Sequence, residues 1–328
     1  MRIAILCDGR TLAEWQRRAV ERIAARHELF LLACPEPPPR RDLIRHACYY
    51  ALNLAAIRNR LTRRVPLPDV AFAGRLDIAP EMQGQWASLP QAAWDWLAAN
   101  RIDAVVKFGL GLLTVPDGAS PILSYHHGDP RSFRGRPAGF HELEAGEQYL
   151  GQVVQVLSNR LDAGEVLAFT QSRVVPYSYR QTLVEAYSLS PALLPQALDA
   201  LEAGCRLPIE PKGRNYRLPS NAAVLGFAAR RVADAARHLG YGAFVEKRWR
   251  VSLAEAGYAA DPCDAIRRVE ALEWRTLPLR APHGFHADPM FYGANGSILL
   301  EAMNRRSAKG ELLRVEGEAQ RRIGGIGG

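Results

Sequence analysis

The sequence predicts an α/β protein, a Rossmann-like and mostly parallel sheet followed by a smaller C-terminal region of a helix and short strands. Three observations carry this. An apolar run, Arg2 to Cys7, ends at Asp8-Gly9 and leads through a helix-patterned stretch into a second apolar run, Glu28 to Cys34, which is the unit that builds parallel sheets. The same alternation of apolar runs with amphipathic stretches continues to about residue 206; buried parallel strands read as unbroken apolar runs because helices cover both of their faces. Beyond a polar, proline-bearing stretch at 207–220 the pattern changes to one helical period and then short strands between glycine turns.

The first helix extends to about Arg26, with Thr11 placed to cap it. A proline cluster, Pro35 to Pro39, ends the second strand, and Arg41 to Arg63 is basic and amphipathic, a surface helix packed through Tyr49, Tyr50 and Leu52. Leu89 to Asn100 reads as a helix and Asp103 to Phe108 as a strand, closed by Gly109-Leu110-Gly111. Ile122 to Tyr125, Gln152 to Leu157 and Val166 to Val175 are strands, Phe140 to Glu147 is a short helix, and Arg180 to Gly204 a long one with a glycine stop. The expected organisation is therefore a domain over 1–206, a linker at 207–220 and a second region over 221–328. In that region Asn221 to Leu239 is helical, Gly242 to Val251 and several segments within Trp274 to Val315 are strands, and Arg321 to Gly328 has no strand pattern.

Composition narrows the function classes. With 328 residues, 48% of them hydrophobic, the chain is an ordinary globular protein. Its net charge of +8 suits an anionic partner; without a zinc finger, an RNA-binding strand motif or a dense basic tail, a phosphorylated small molecule is favoured over nucleic acid. Five scattered cysteines, without a CxxC pair, predict reduced thiols in a cytoplasmic protein and no metal site. The first ten residues reach an Asp and an Arg, so neither a signal peptide nor a membrane span is expected. The first turn is CDGR, not the glycine-rich dinucleotide fingerprint. The sequence leaves a homo-oligomer open.

The chemistry concentrates between Pro121 and Gly164. The apolar run Ile122 to Tyr125 stops at His126-His127-Gly128-Asp129-Pro130, as when a buried strand delivers polar side chains to the carboxyl edge of a sheet. A histidine there is either a satisfied structural side chain or a proton carrier. A second strand end, Leu161-Asp162-Ala163-Gly164, supplies a carboxylate that favours the charged imidazole. Ser124 shares a strand face with His126, where its hydroxyl can donate to a developing oxyanion. Arg131, Arg134 and Arg136 form either a solvated loop or a phosphate clamp, and Asp129 either a loop cap or the partner of an amine.

SYHHGDPRSFRGRP (124–137), GFHELEAGE (139–147) and GQVVQVLSNRLDAG (151–164) together resemble the formyltransferase family, over roughly residues 70–175. The resemblance implies the formyltransferase fold and transfer of a formyl group from 10-formyltetrahydrofolate to an amine, without a metal. It makes His126 the general acid/base and Asp162 the residue that positions His126 or a relay water. Ser124 stands where the family has Asn, so the oxyanion donor is altered. Phe108, Gly109, Leu110, Leu112, Leu113, Val156, Leu157 and Leu161 match the segments that hold the pterin, and His127, Asp129, Arg134 and Arg136 fall on the acceptor side. The pattern is similar to a subgroup that acts on amino sugars, nucleotide- or lipid-linked. Hydrolysis of formyltetrahydrofolate and a binding module with a decayed site are the alternatives. Separately, PHGFHADPMF (282–291) resembles one blade of the five-bladed propeller of glucosamine inositolphosphorylceramide transferases, here truncated, with His286 and Asp288 in structural roles.

Overall fold

The computed structural model describes residues 1–35, 42–84, 86–159, 164–245, 249–254, 272–278, 280–293, 296–317 and 319–325. Two compact units are present, Met1–Leu239 and Gly240–Gly328. The first is built on a seven-stranded sheet. Its strands are β1 (Arg2–Cys7), β2 (Glu28–Ala33), β3 (Phe72–Asp77), β4 (Ala104–Lys107), β5 (Ile122–His126), β6 (Tyr149–Val156) and β7 (Val166–Arg173). They lie in the order β7-β6-β5-β4-β1-β2-β3. β1 through β5 pair in parallel, and β6 runs antiparallel to both of its neighbours. The mostly parallel sheet expected from the sequence is the one observed.

Helices cover both faces because the central strands alternate two sets of fully apolar side chains. Ile3, Ile5, Val106, Leu123 and Val154 point to the face covered by α1 (Glu14–Ala24) and the long helix at Tyr179–Glu202, through Ala19, Val20, Leu193 and Leu194. Ala4, Leu6, Phe30, Val105 and Ile122 point to the other face, against Ala93 and Leu97 of Gln91–Ala99. A third cluster joins Phe140, Leu143, Tyr179, Leu183, Tyr49 and Phe227. In chain order the helices are α1, α2 (Leu43–Leu52), α3 (Gln91–Ala99), α4 (Phe140–Ala145), α5 (Tyr179–Glu202) and α6 (Asn221–Phe244).

Several expectations need correction. Thr11 does not cap α1: it lies in a short strand, Thr11–Ala13, where its hydroxyl donates to Asp8 (2.8 Å) and α1 starts from Ala13. The helix expected over Arg41 to Arg63 is shorter, α2 passing into one π turn at Asn53–Ile57. The stretch 207–220 is not a linker, since Arg214–Tyr216 pairs in parallel with Phe133–Gly135, Gly213 donates its N–H to Pro130 O (2.9 Å) and Tyr216 stacks on Phe133 and His141. The boundary falls instead within α6, because Val224 and Phe227 are buried in the first unit's third cluster.

In the second unit Gly242–Phe244 continues α6 rather than opening a strand. Four strands, β8 (His283–Tyr292), β9 (Ser297–Asn304), β10 (Lys309–Glu316) and β11 (Ala319–Gly325), form an antiparallel sheet in chain order. The last of these corrects the expectation for Arg321 to Gly328. A four-stranded antiparallel sheet is the form of a single propeller blade. His283 and Asn304 both bond Glu311 (2.9 Å each), and His286 is buried beside them.

Candidate functional site

The site is assembled at the carboxyl ends of β4 and β5, where the sheet stops and its last side chains are polar. Register decides its membership. Ser124 pairs directly with Gln155 of β6 on one side and with Lys107 of β4 on the other. Residues in register project to the same face, and so does His126 two residues on. A serine, a lysine, a glutamine and a histidine thus share one face of three adjacent strands. Lys107 and Gln155 are the functional candidates that the sequence reading missed. No spacing rule links residues 107, 124 and 155; only the pairing register does.

His126 is 7% exposed, and its Nε2 bonds the carbonyl oxygen of Phe133 at 3.0 Å. A carbonyl only accepts, so Nε2 carries a proton, and in the neutral tautomer this selects the lone pair is on Nδ1. The loop after β5 is drawn tightly over the ring. A Cβ on Gly128 would fall 2.6 Å from His126 Nε2 and 2.7 Å from Phe133 O, so no larger residue fits there without moving the histidine or the strand that holds it. Gln155 is 2% exposed and its Oε1 has no hydrogen-bond partner among the described residues. A buried, unpaired amide oxygen is costly unless a ligand pairs with it. Asp162 and Leu161 lie outside the described residues. Gly164 is described: a Cβ there would meet Val156 O at 1.8 Å, so the chain passes directly against the end of β6.

The two histidines go to opposite faces. His127 turns into the aromatic core beneath α1 and α5, with ring centroids 5.2 Å from Trp15 and 4.6 Å from Tyr187. Its Nε2 donates to Ser190 Oγ (2.9 Å), whose own proton goes to Gln152 Oε1 (2.8 Å). Burial, and then the charge of His126, push its pKa down to about 3, which keeps it neutral. His127 is therefore placed with the core rather than with the loop it was expected to join.

The segments expected to hold a pterin are brought together. The Asn159 amide accepts from Val115 N–H (2.8 Å) and donates to Val115 O (2.9 Å), locking the loop after β4 to the loop after β6. Leu157 donates its N–H to Ile122 O (2.6 Å) and packs with Leu110 and Leu113 in the second core cluster. Gly109, Leu110 and Gly111 all have positive φ (121°, 56° and 40°), a turn that leaves main-chain groups rather than side chains at the surface of the loop. Phe108 stacks on Tyr125 and meets Trp15 edge-on, so its ring belongs to the core. Leu112 and Val156 are half-buried nearby. What the loops offer a ligand is backbone and apolar wall.

The loop arginines do not converge into a clamp. Arg131 is held by Asp129 through bonds of 2.6 to 3.1 Å and lies over Phe169, Arg134 Nε donates to Gly213 O (2.7 Å), and Arg136 is exposed. Burial raises the Asp129 carboxyl, but the bonds from Arg131 outweigh it and hold the group below its usual range. Asp129 is thus both a loop cap and a lining residue of a cavity of about 420 Å³, together with Glu142, Glu147, Phe133, Tyr149 and Gln171. Burial pushes Glu142 up to about 7. Ser124 and His126 do not line this cavity; it lies beyond the Asp129–Phe133 loop.

No family model and no curated protein matches the chain. Among solved structures, the chain is similar to Rv3404c of Mycobacterium tuberculosis, a sugar N-formyltransferase candidate, at 14% identity and TM-score 0.43 over 70% of this chain and 86% of that one. It is similar to phosphoribosylglycinamide formyltransferase from Anaplasma phagocytophilum at 14% identity and TM-score 0.42, over 66% of this chain and 96% of that one. HypX from Aquifex aeolicus, in complex with tetrahydrofolic acid, aligns at 13% identity and TM-score 0.43 over 96% of this chain, which spans 46% of HypX.

Proposed function

We propose that the first unit transfers a formyl group from 10-formyltetrahydrofolate to the amine of a small acceptor, an amino sugar that is nucleotide- or lipid-linked. The observation that carries the reading is His126 at the carboxyl end of β5, with its proton placed on Nε2 by the Phe133 carbonyl and Ser124 on the same strand face. The sequence motifs around it support the same reading. The folate fits what the loops present: a locked pair of loops with apolar walls and main-chain groups at the Gly109-Leu110-Gly111 turn. When bound, the folate supplies the formyl carbon.

This chain's own residues then supply three things. Nδ1 of His126 accepts the proton that the amine loses as its nitrogen bonds the formyl carbon, and the imidazolium returns that proton to the folate nitrogen as the bond to the formyl carbon breaks. The Ser124 hydroxyl donates to the carbonyl oxygen as charge develops on it, and Lys107 and Gln155 flank that position. The tight approach of Gly128 and the bond to Phe133 hold the imidazole in place, which keeps the entropy of orientation from being paid during reaction. Asp162 remains the proposed positioning residue for His126.

The test is the rate of 10-formyltetrahydrofolate consumption with and without a panel of amino sugars. We expect acceptor-dependent turnover, and a loss of roughly 10²- to 10⁴-fold in His126→Ala. Consumption without an acceptor would assign hydrolysis instead.

A further inference from the structure

Strand β6 carries two buried glutamines, Gln152 and Gln155, and they face opposite sides of the sheet. Gln152 belongs to the core side, where its Oε1 accepts from Ser190 Oγ (2.8 Å). Gln155 is on the side of Ser124, its register partner on β5, and is the diagonal neighbour of His126, which pairs with Val153. Diagonal neighbours on adjacent strands lie roughly 7–8 Å apart, within reach of a long side chain. The chain at Gly164 passes over the stem of Gln155, a Cβ there coming 3.5 Å from Gln155 Cγ. The amide oxygen is sealed from solvent and, among the described residues, nothing donates to it. An acceptor left unpaired in such a place weakens the fold, and a ligand that donates to it removes the deficit.

Formyl transfer at this site leaves one donor without an assigned acceptor. A primary amine that attacks the formyl carbon through its nitrogen lone pair carries two hydrogens. One passes as a proton to Nδ1 of His126 and then to the folate nitrogen, as the bond from that nitrogen to the formyl carbon breaks. The other stays on the attacking nitrogen and becomes the N–H of the product formamide. While it bonds, the nitrogen gains positive charge, so the retained N–H is then at its strongest as a donor. Of the side chains that register brings together, Ser124 is committed to the formyl oxygen, a lysine ammonium such as that of Lys107 has donors only, and His126 takes the first hydrogen. The Gln155 oxygen is the acceptor that remains.

We propose that Gln155 selects primary amines, its Oε1 accepting the hydrogen that the attacking nitrogen retains. The inference rests on the formyl transfer proposed above. A secondary amine gives its one hydrogen to His126 and leaves Oε1 unpaired, so the site should favour a primary amino sugar over its N-methyl derivative. The test measures kcat/KM for glucosamine and the other amino sugars of the panel, each against its N-methyl derivative, in the wild type, Gln155→Met and Gln155→Glu. Methionine matches glutamine in length and lacks the amide oxygen. In Gln155→Met the ratio of primary to N-methyl amine should fall by roughly 10- to 100-fold, through loss of the primary amine's rate. Gln155→Glu, with an acceptor at either end of its head group, should keep the preference. The melting temperature of Gln155→Met should equal or exceed that of the wild type, because an unpaired buried atom is removed. A preference that survives in Gln155→Met, one that is lost in Gln155→Glu, or a Gln155→Met protein that melts lower, which would give the amide a role in the fold, overturns the proposal. Folate consumption that no amino sugar changes in the wild type would instead count against formyl transfer itself, and so remove the reading on which the inference rests.

Discussion

At the residue scale, two buried ionisable groups give the first unit a pH response with opposite signs. Burial raises Glu142 from 4.5 to about 7, so the fold favours its protonated form. Its contribution is fully present below about 4.5 and is lost as the pH rises through 7; a shift of that size corresponds to roughly 3 kcal/mol. His127 is the reverse. Its pKa falls from 6.5 to about 3, so its contribution is present above 6.5 and is lost as the pH falls toward 3. The two windows overlap between about 4.5 and 6.5 and oppose each other there. Urea unfolding across this range should give a flatter profile for the wild type than for Glu142→Gln. Relative to the wild type, Glu142→Gln should gain roughly 3 kcal/mol between pH 4.5 and 7.5, and an unchanged difference would show that the carboxyl is not held in its protonated form.

At the element scale, α6 shows what local pattern conveys and what it leaves out. Its helical period is plain in the sequence, but its allegiance is not, because the contact that fixes it, Phe227 on Phe140, joins positions far apart in the chain. Phe227→Ala should cost the first unit about 3–5 kcal/mol, the range for emptying a phenylalanine-sized core site. A loss within the ±0.5 kcal/mol of an ordinary surface substitution would return α6 to the second region, beyond a linker at 207–220. The buried central strands were legible for a similar reason: parallel strands covered on both faces must be apolar throughout, and Ile3, Leu31, Val106 and Leu123 are. β3 escaped notice because it is an edge strand, FAGRLD, with every other residue exposed and a glycine, an arginine and an aspartate among its six. β11, AQRRIGG, is hidden in the same way by its charges and glycines.

At the scale of the whole molecule, the sheet order places β5 between β4 and β6, and the polar residues at their ends become neighbours through register alone. Ser124 and His126 were legible in the sequence because they are two apart on one strand. Lys107 and Gln155 were not, since their place beside Ser124 depends on how three strands align. The place of His127 was not legible, because the aromatic cage that draws it away from the loop comes from α1 and α5. The locked loops after β4 and β6 are the largest commitment of the account, because they must admit a folate before any proton transfer matters. Titration calorimetry with 5-formyltetrahydrofolate, a stable analogue of the donor, tests this without knowledge of the acceptor. The account predicts one site per chain, and a stabilisation of about 2.7 kcal/mol at a ligand concentration one hundred times the dissociation constant. No heat of binding and no stabilisation at millimolar ligand would contradict it.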